Sequence, residues 1–177
     1  APGDALLCIK NHPLDTGLDH NARSIARLAR RYGLEERIVY LESGDLNVLL
    51  ERCAGTVTVN STVGIVSLEH DRPTFALSDP IYHLDGLTFR GPLDEFWREP
   101  SRPDGGLFDA FRRTVMHTTQ LNGGFYCGAG IELAVANAVP ALTAQRSPLE
   151  RLLSLAAPVQ RRRQPPRRLP WPDRLAS

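Results

Sequence analysis

The chain has 177 residues, with 21 lysines and arginines against 20 aspartates and glutamates, for a net charge of +1. That balance argues against a general affinity for nucleic acid, while a 42% hydrophobic content is enough to pack a domain-sized core. No apolar run reaches the ~20 residues of a membrane span, and the spacing of Cys8, Cys53 and Cys127 gives neither a CxxC metal motif nor a disulfide framework. The three cysteines read as small buried thiols in a reducing, cytoplasmic setting. The chain opens on Ala1 and enters strand-like sequence almost at once, which reads as a fragment of a longer protein.

Ala5 to Lys10 is the first expected strand, stopped by Asn11-His12-Pro13 because proline disfavours helix at the residue before it. From Asp19 to Tyr32 the apolar positions Ala22, Ile25, Ala26, Ala29 and Tyr32 recur at helical spacing, and Gly33 supplies the C-cap. Arg37 to Leu41 is a second strand. Ser43-Gly44-Asp45 then turns and caps a helix over Leu46 to Cys53. Thr56 to Asn60 is almost wholly β-branched and reads as a buried parallel strand. Ser61 and Thr62 open a helix from Val63 to His70, and Pro73 to Leu77 is a fourth strand. Strands alternating with helices predict an α/β fold, a Rossmann-like parallel sheet with flanking helices.

Beyond Ser78 the pattern loosens. A turn-rich segment over Pro80 to Thr88 precedes short helices at Leu93 to Trp97 and Leu107 to His117. A tight turn at Asn122-Gly123-Gly124 is followed by a helix at Glu132 to Ala138. The expected organisation is one Rossmann-like domain over residues 1–157 and an unstructured Arg/Pro-rich tail over 158–177. The tail carries Arg161, Arg162, Arg163, Arg167, Arg168 and Arg174, so the body of the chain is acidic on balance.

Four segments carry candidate chemistry. Lys10-Asn11-His12-Pro13 lies at the carboxyl end of a strand, where open α/β sheets place their ligands. Lysine and histidine there can bracket an anion, although a solvated lysine and a backbone-bonded histidine fit the same residues. Val59-Asn60-Ser61-Thr62-Val63-Gly64 passes from strand into helix. Such a turn offers hydroxyls and backbone N–H groups to a phosphate, with Gly64 permitting close approach. Plain N-capping by Ser61 or Thr62 explains the same sequence, and the two readings are compatible. Tyr82 and His83, in the loop Asp79 to Thr88, are placed to flank a base or sugar, or else to cover the sheet edge. Gln120 to Tyr126 is a polar turn ending in two aromatics. Neither a Walker loop nor GxGxxG occurs, which disfavours P-loop chemistry and adenine dinucleotides. No convincing DxD suggests a metal, and no cofactor is called for.

In this order and at these separations, KNHPLD, VNSTVGIVSLEHDRPTFAL, IYHLDGLT and TTQLNGGFYCG resemble the capsule polysaccharide biosynthesis and export family, over roughly Leu6 to Val139. That family includes bacterial Kdo transferases, which use CMP-Kdo to build a linker on a phosphatidylglycerol-type lipid. The His-Pro and Ser-Thr elements also resemble the paired motifs of CMP-sugar-using sialyltransferases of the GT-B fold. The resemblance implies the C-terminal, donor-binding half of a two-domain GT-B glycosyltransferase. It implicates His12 with Pro13, and Ser61 with Thr62, in holding CMP. Lys10 joins them on charge and proximity, Gly64 on backbone access and Tyr82 on position. His12 would also act catalytically, by stabilising the leaving phosphate. No nucleophile or general base stands out; Asp15 and Glu69 qualify by residue type alone. The implied partners are a nucleotide-sugar donor, a lipid or glycolipid acceptor held by an absent N-terminal domain, and the capsule assembly and export machinery. The implied location is the cytoplasm, with peripheral attachment at the inner membrane. Alone, this chain is expected to transfer no sugar. The alternatives are a non-catalytic capsule scaffold that keeps the fold and a GT-B epimerase that prefers UDP-sugars.

Overall fold

The computed structural model describes residues 2–12, 15–18 and 20–156, so Pro13 and the tail over 158–177 lie outside the described residues. The chain forms two compact units that divide between Pro103 and Asp104.

In the first unit, strands β1 (Leu7–Lys10), β2 (Ile38–Leu41), β3 (Thr56–Thr58) and β4 (Thr74–Ala76) alternate with helices α1 (Asn21–Tyr32), α2 (Leu46–Arg52) and α3 (Val63–Glu69). A short helix α4 (Leu93–Phe96) follows. The local signals act as expected at several ends. Gly33 adopts the left-handed conformation that closes α1. The Asp45 carboxylate accepts the Asn47 N–H at 2.8 Å and caps α2.

The fold is mixed α/β with parallel pairing, but the expected single sheet is divided. Among the described residues β1 pairs only with β2 and β3 only with β4, both in parallel. Each strand is three or four residues long, shorter than RIVYL and TVTVN promise. Strands this short offer few backbone groups for recruiting a further neighbour. Helix α2, which follows β2 in the chain, is tied to the β3–β4 half. Arg72 donates to the Glu51 carbonyl at 2.7 Å, and the His70 ring lies 3.2 Å from the Asn47 amide oxygen.

The core sits around β4, all three residues of which are buried. Phe75, Phe89 and Phe96 form an aromatic cluster with centroids 5.5–6.3 Å apart, and Trp97 packs edge-on against Phe96. This cluster receives the beginnings of the strands. Gly55 abuts the Phe96 ring, while Trp97 shares a shallow cavity with Leu7 and Ile38, at the starts of β1 and β2. Both strand pairs therefore set out from α4.

Beneath α3 lies a polar contact of side chains. Ser67, fully buried, donates to the Thr56 hydroxyl at 2.9 Å, and the Thr74 hydroxyl stands 2.9 Å away on its other side. Ser67→Ala is expected to lower stability by about 1–3 kcal/mol, because it strips a partner from buried hydroxyls. Urea unfolding would measure the loss.

The cysteines depart from expectation. Cys53 is half-buried with its thiol 3.8 Å from the Thr56 hydroxyl, but Cys8 and Cys127 are exposed. Cys8 sits on a strand pair with no fully buried residue, so the two-stranded sheet gives it no interior to occupy.

The second unit is helical. Helix α5 (Gly105–Thr118) is capped by the Asp104 carboxylate, α6 runs from Gly128 to Thr143, and α7 (Pro148–Leu155) packs on α5. The last of these has no counterpart among the elements expected from the sequence. Ser147 and Glu150 form a reciprocal capping box with Pro148 at the first helical position. No helix among the described residues is long and apolar enough to cross a membrane.

Candidate functional site

Lys10 ends β1, and the backbone continues into a loop fastened to β2 by the Asn11 N–H, which donates to the Leu41 carbonyl at 2.8 Å. The organising group of this loop is Asp15. Its carboxylate accepts from the Asn11 side-chain amide at 2.6 Å, from the Gly17 N–H at 3.1 Å and from the Asn21 amide at 3.4 Å. The Asn11 bond chiefly, then that of Gly17, holds the Asp15 carboxyl below its ordinary range, with smaller help from Asn21 and the charge of His12. Its N–H also donates to the His12 carbonyl at 3.0 Å. His12 itself is exposed, and the Lys10 ammonium donates to the Asn11 carbonyl at 3.3 Å. In the sequence Asp15 stood out by residue type alone. The available signal was its position four residues after an asparagine, within reach across a tight loop.

The second strand pair carries the other motif. After Thr58 the chain bends, and Ser61 becomes the centre of a closed turn. The Ser61 hydroxyl accepts the Val63 N–H at 3.2 Å, and its carbonyl accepts both the Gly64 N–H at 3.0 Å and the Tyr82 hydroxyl at 2.6 Å. The Ser61 N–H is taken by the Thr58 hydroxyl at 3.3 Å. The turn therefore does not present the row of free amides that the sequence suggested: side chains and the Ser61 carbonyl occupy them. Thr62 is exposed, and its hydroxyl has no protein partner among the described residues.

Tyr82 and Gly64 take different roles from those expected of them. The Tyr82 ring is 2% exposed, packed where it has no open face for a base or sugar. A Cβ placed on Gly64 would lie 2.3 Å from the Tyr82 hydroxyl and 2.4 Å from its Cζ. Gly64 thus admits the tyrosine, and Tyr82 buttresses the Ser61 turn. Burial raises the Tyr82 phenol above its ordinary range, partly offset by a bond with Thr58. The rest of this loop closes on itself. The His83 Nδ1 lies 2.8 Å from the Thr88 hydroxyl, and Arg90 binds both the His83 carbonyl and the Asp85 carboxylate.

The structure therefore joins Ser61, Gly64 and Tyr82 in one contact, with Thr62 beside them. Lys10 and His12 belong to the other strand pair. The turn from Asn122 to Tyr126 lies in the second unit, where Phe125 and Tyr126 are exposed and Leu121, Phe125, Ile131 and Val135 border a shallow apolar depression.

Parallel α/β units with polar residues at strand ends are shared by many protein classes, and sequence comparison identifies this one. The chain belongs to the family of capsule polysaccharide biosynthesis proteins, whose model matches residues 1–126. It is 39% identical over 126 residues to the capsule polysaccharide export protein KpsS of Escherichia coli, a match covering 71% of this chain and 32% of that protein. It is likewise 39% identical over 127 residues to the capsule polysaccharide modification protein LipB of Neisseria meningitidis serogroup A, covering 71% of this chain and 30% of LipB. The matched segment thus spans about a third of the length of these curated relatives. No solved structure matches the chain.

Proposed function

We propose that this chain is the donor-binding part of a GT-B-type capsule glycosyltransferase that uses a CMP-sugar, with CMP-Kdo as the donor. One observation carries the reading. Both strand pairs start at the Phe96–Trp97 end of the unit, and their opposite, carboxyl ends bear the Lys10–His12 loop and the Ser61–Thr62 turn. Carboxyl ends of parallel strands are where α/β proteins bind nucleotides. Family membership supports a role in making the capsule polymer.

In this reading the bond between the sugar's anomeric carbon and the cytidylate phosphate breaks as an acceptor hydroxyl attacks. The departing phosphate gains negative charge, which His12 and Lys10 neutralise in the transition state. Thr62 offers its unpartnered hydroxyl, and Ser61 holds the turn in place. Tyr82 and Gly64 support that turn from beneath. The lipid or glycolipid acceptor, and the carboxylate that assists its attack, belong to the part of the protein beyond this segment. The protein works at the cytoplasmic face of the inner membrane, alongside the capsule assembly and export machinery.

Calorimetry with CMP tests the proposal. In the full-length protein, His12→Ala and the double change Ser61→Ala/Thr62→Ala are each expected to weaken CMP binding by about 10- to 100-fold, the worth of a hydrogen bond to a charged phosphate. Near-normal affinity in both variants overturns the placement of the site. Absence of CMP binding in the parent points to the non-catalytic scaffold, and preference for UDP points to the epimerase. The segment alone binds more weakly, because one wall of the cleft is missing.

A further inference from the structure

We infer that Asp15 is the positioning residue of His12: its hydrogen bonds fix the backbone on both sides of the imidazole that meets the donor phosphate. The inference rests on the reading of His12 given above, and it replaces the part of nucleophile or base that the residue type of Asp15 suggests.

Asp15 brackets His12. Its carboxylate holds the Asn11 side chain at 2.6 Å on one side, and its backbone N–H donates to the His12 carbonyl at 3.0 Å on the other. Asn11 is in turn pinned to β2, because its N–H donates to the Leu41 carbonyl at 2.8 Å. The same carboxylate accepts from the Gly17 N–H and from the side-chain amide of Asn21, the first residue of α1. One side chain thus ties the end of β1 to the start of the next helix. That helix has no side-chain cap and no acid in its first turn, so the Asp15 charge also suits its dipole.

Packing does not hold this strand end. Neither β1 nor β2 contains a fully buried residue. At the other strand end the buried Tyr82 braces the Ser61 turn from the interior, through its hydroxyl. At the His12 loop the comparable hydrogen bonds come from Asp15. Each strand end therefore has one residue that sets the group facing the ligand.

The same bonds make Asp15 a poor base. One carboxylate oxygen accepts from both Asn11 and Asn21, and the other from Gly17. Led by the Asn11 bond, they hold the carboxyl below its ordinary range. A general base works best when its pKa lies near the working pH, and this group is shifted the opposite way.

The test joins a measurement on this chain to one on the full-length protein. In this chain, without nucleotide, Asp15→Ala is expected to lower the backbone order parameter of His12 from about 0.85 to below about 0.6 by NMR relaxation. The residues of β4 should keep their values, which shows the unit folded. An unchanged value at His12 overturns the inference. In the full-length protein, Asp15→Ala is expected to weaken CMP binding about 10-fold by calorimetry. With His12 already changed to Ala, the same substitution should cost less than about 2-fold, because nothing is left to position. Equal losses in the two backgrounds would mean that Asp15 acts independently of His12, and would also overturn the inference. Should Asp15→Ala fail to fold, Asp15→Asn serves for both measurements. It keeps an acceptor for Gly17 but turns an amide toward that of Asn11, so both effects are expected in the same direction. If His12→Ala weakens CMP binding and the Asp15 variants do not, the donor reading stands and Asp15 loses its role. If the unaltered protein does not bind CMP, the donor reading falls, and the His12 order parameter alone decides whether Asp15 sets this loop.

Discussion

Phe96→Ala is expected to destabilise the first unit by about 3–5 kcal/mol, the usual cost of emptying an aromatic site in a packed core. Phe96 is 2% exposed and meets Phe75, Phe89 and Trp97 at centroid distances of 5.5, 5.6 and 5.7 Å. It also closes over Gly55 at the start of β3. Removing the ring therefore loosens the junction from which both strand pairs set out. The effect should appear as a large fall in the urea midpoint, and Phe96→Leu should recover more than half of it. A loss under about 1 kcal/mol would mean that this cluster does not anchor the unit.

Gly64→Ala should cost nearly as much from a single methyl group. The added carbon meets the Tyr82 hydroxyl, Cζ and Cε2 at 2.3–2.5 Å, so the ring has to move. Overpacking alone costs about 1–3 kcal/mol, and displacing the hydroxyl from the Ser61 carbonyl adds roughly 1 more. In a unit of ~100 residues each kcal/mol lowers Tm by roughly 4–8 °C. Tyr82→Phe should not rescue the variant, because the ring carbons clash as well. Tyr82→Leu in the Gly64→Ala background should restore part of the stability. An unchanged melting temperature in Gly64→Ala would show that α3 and the Tyr82 loop are not locked together.

The alternation of elements was legible because its signals are local. β-Branched runs at Ile38–Leu41 and Thr56–Thr58, the Asp45 cap and the Gly33 stop each act within a few residues. The division of the sheet was not legible, since pairing depends on partners far along the chain. The Ser61 turn shows the same limit at atomic scale. Sequence indicated a capping hydroxyl, and Ser61 does cap Val63, but the Tyr82 hydroxyl reaches the same turn from 21 residues away. Nothing near Gly64 in sequence announces that its space is already filled. Helix α6 starts at Gly128, ahead of the expected Glu132, and that start was hidden in the sequence because Gly128 and Gly130 have low helical propensity. Helix α7 was missed outright, although Ser147-Pro148-Leu149-Glu150 carries a capping signal that announces it.

β4, the partner of the strand that leads into the Ser61 turn, is buried at every position, whereas β1, β2 and β3 contain no fully buried residue. Backbone that water can reach opens at lower cost than backbone sealed in a core. The imidazole end of the strand edge accordingly rides on compliant material and the hydroxyl end on stiff material. Any molecule long enough to touch both must use part of its affinity to still the softer side, and a shorter molecule held at the stiff side alone avoids that cost.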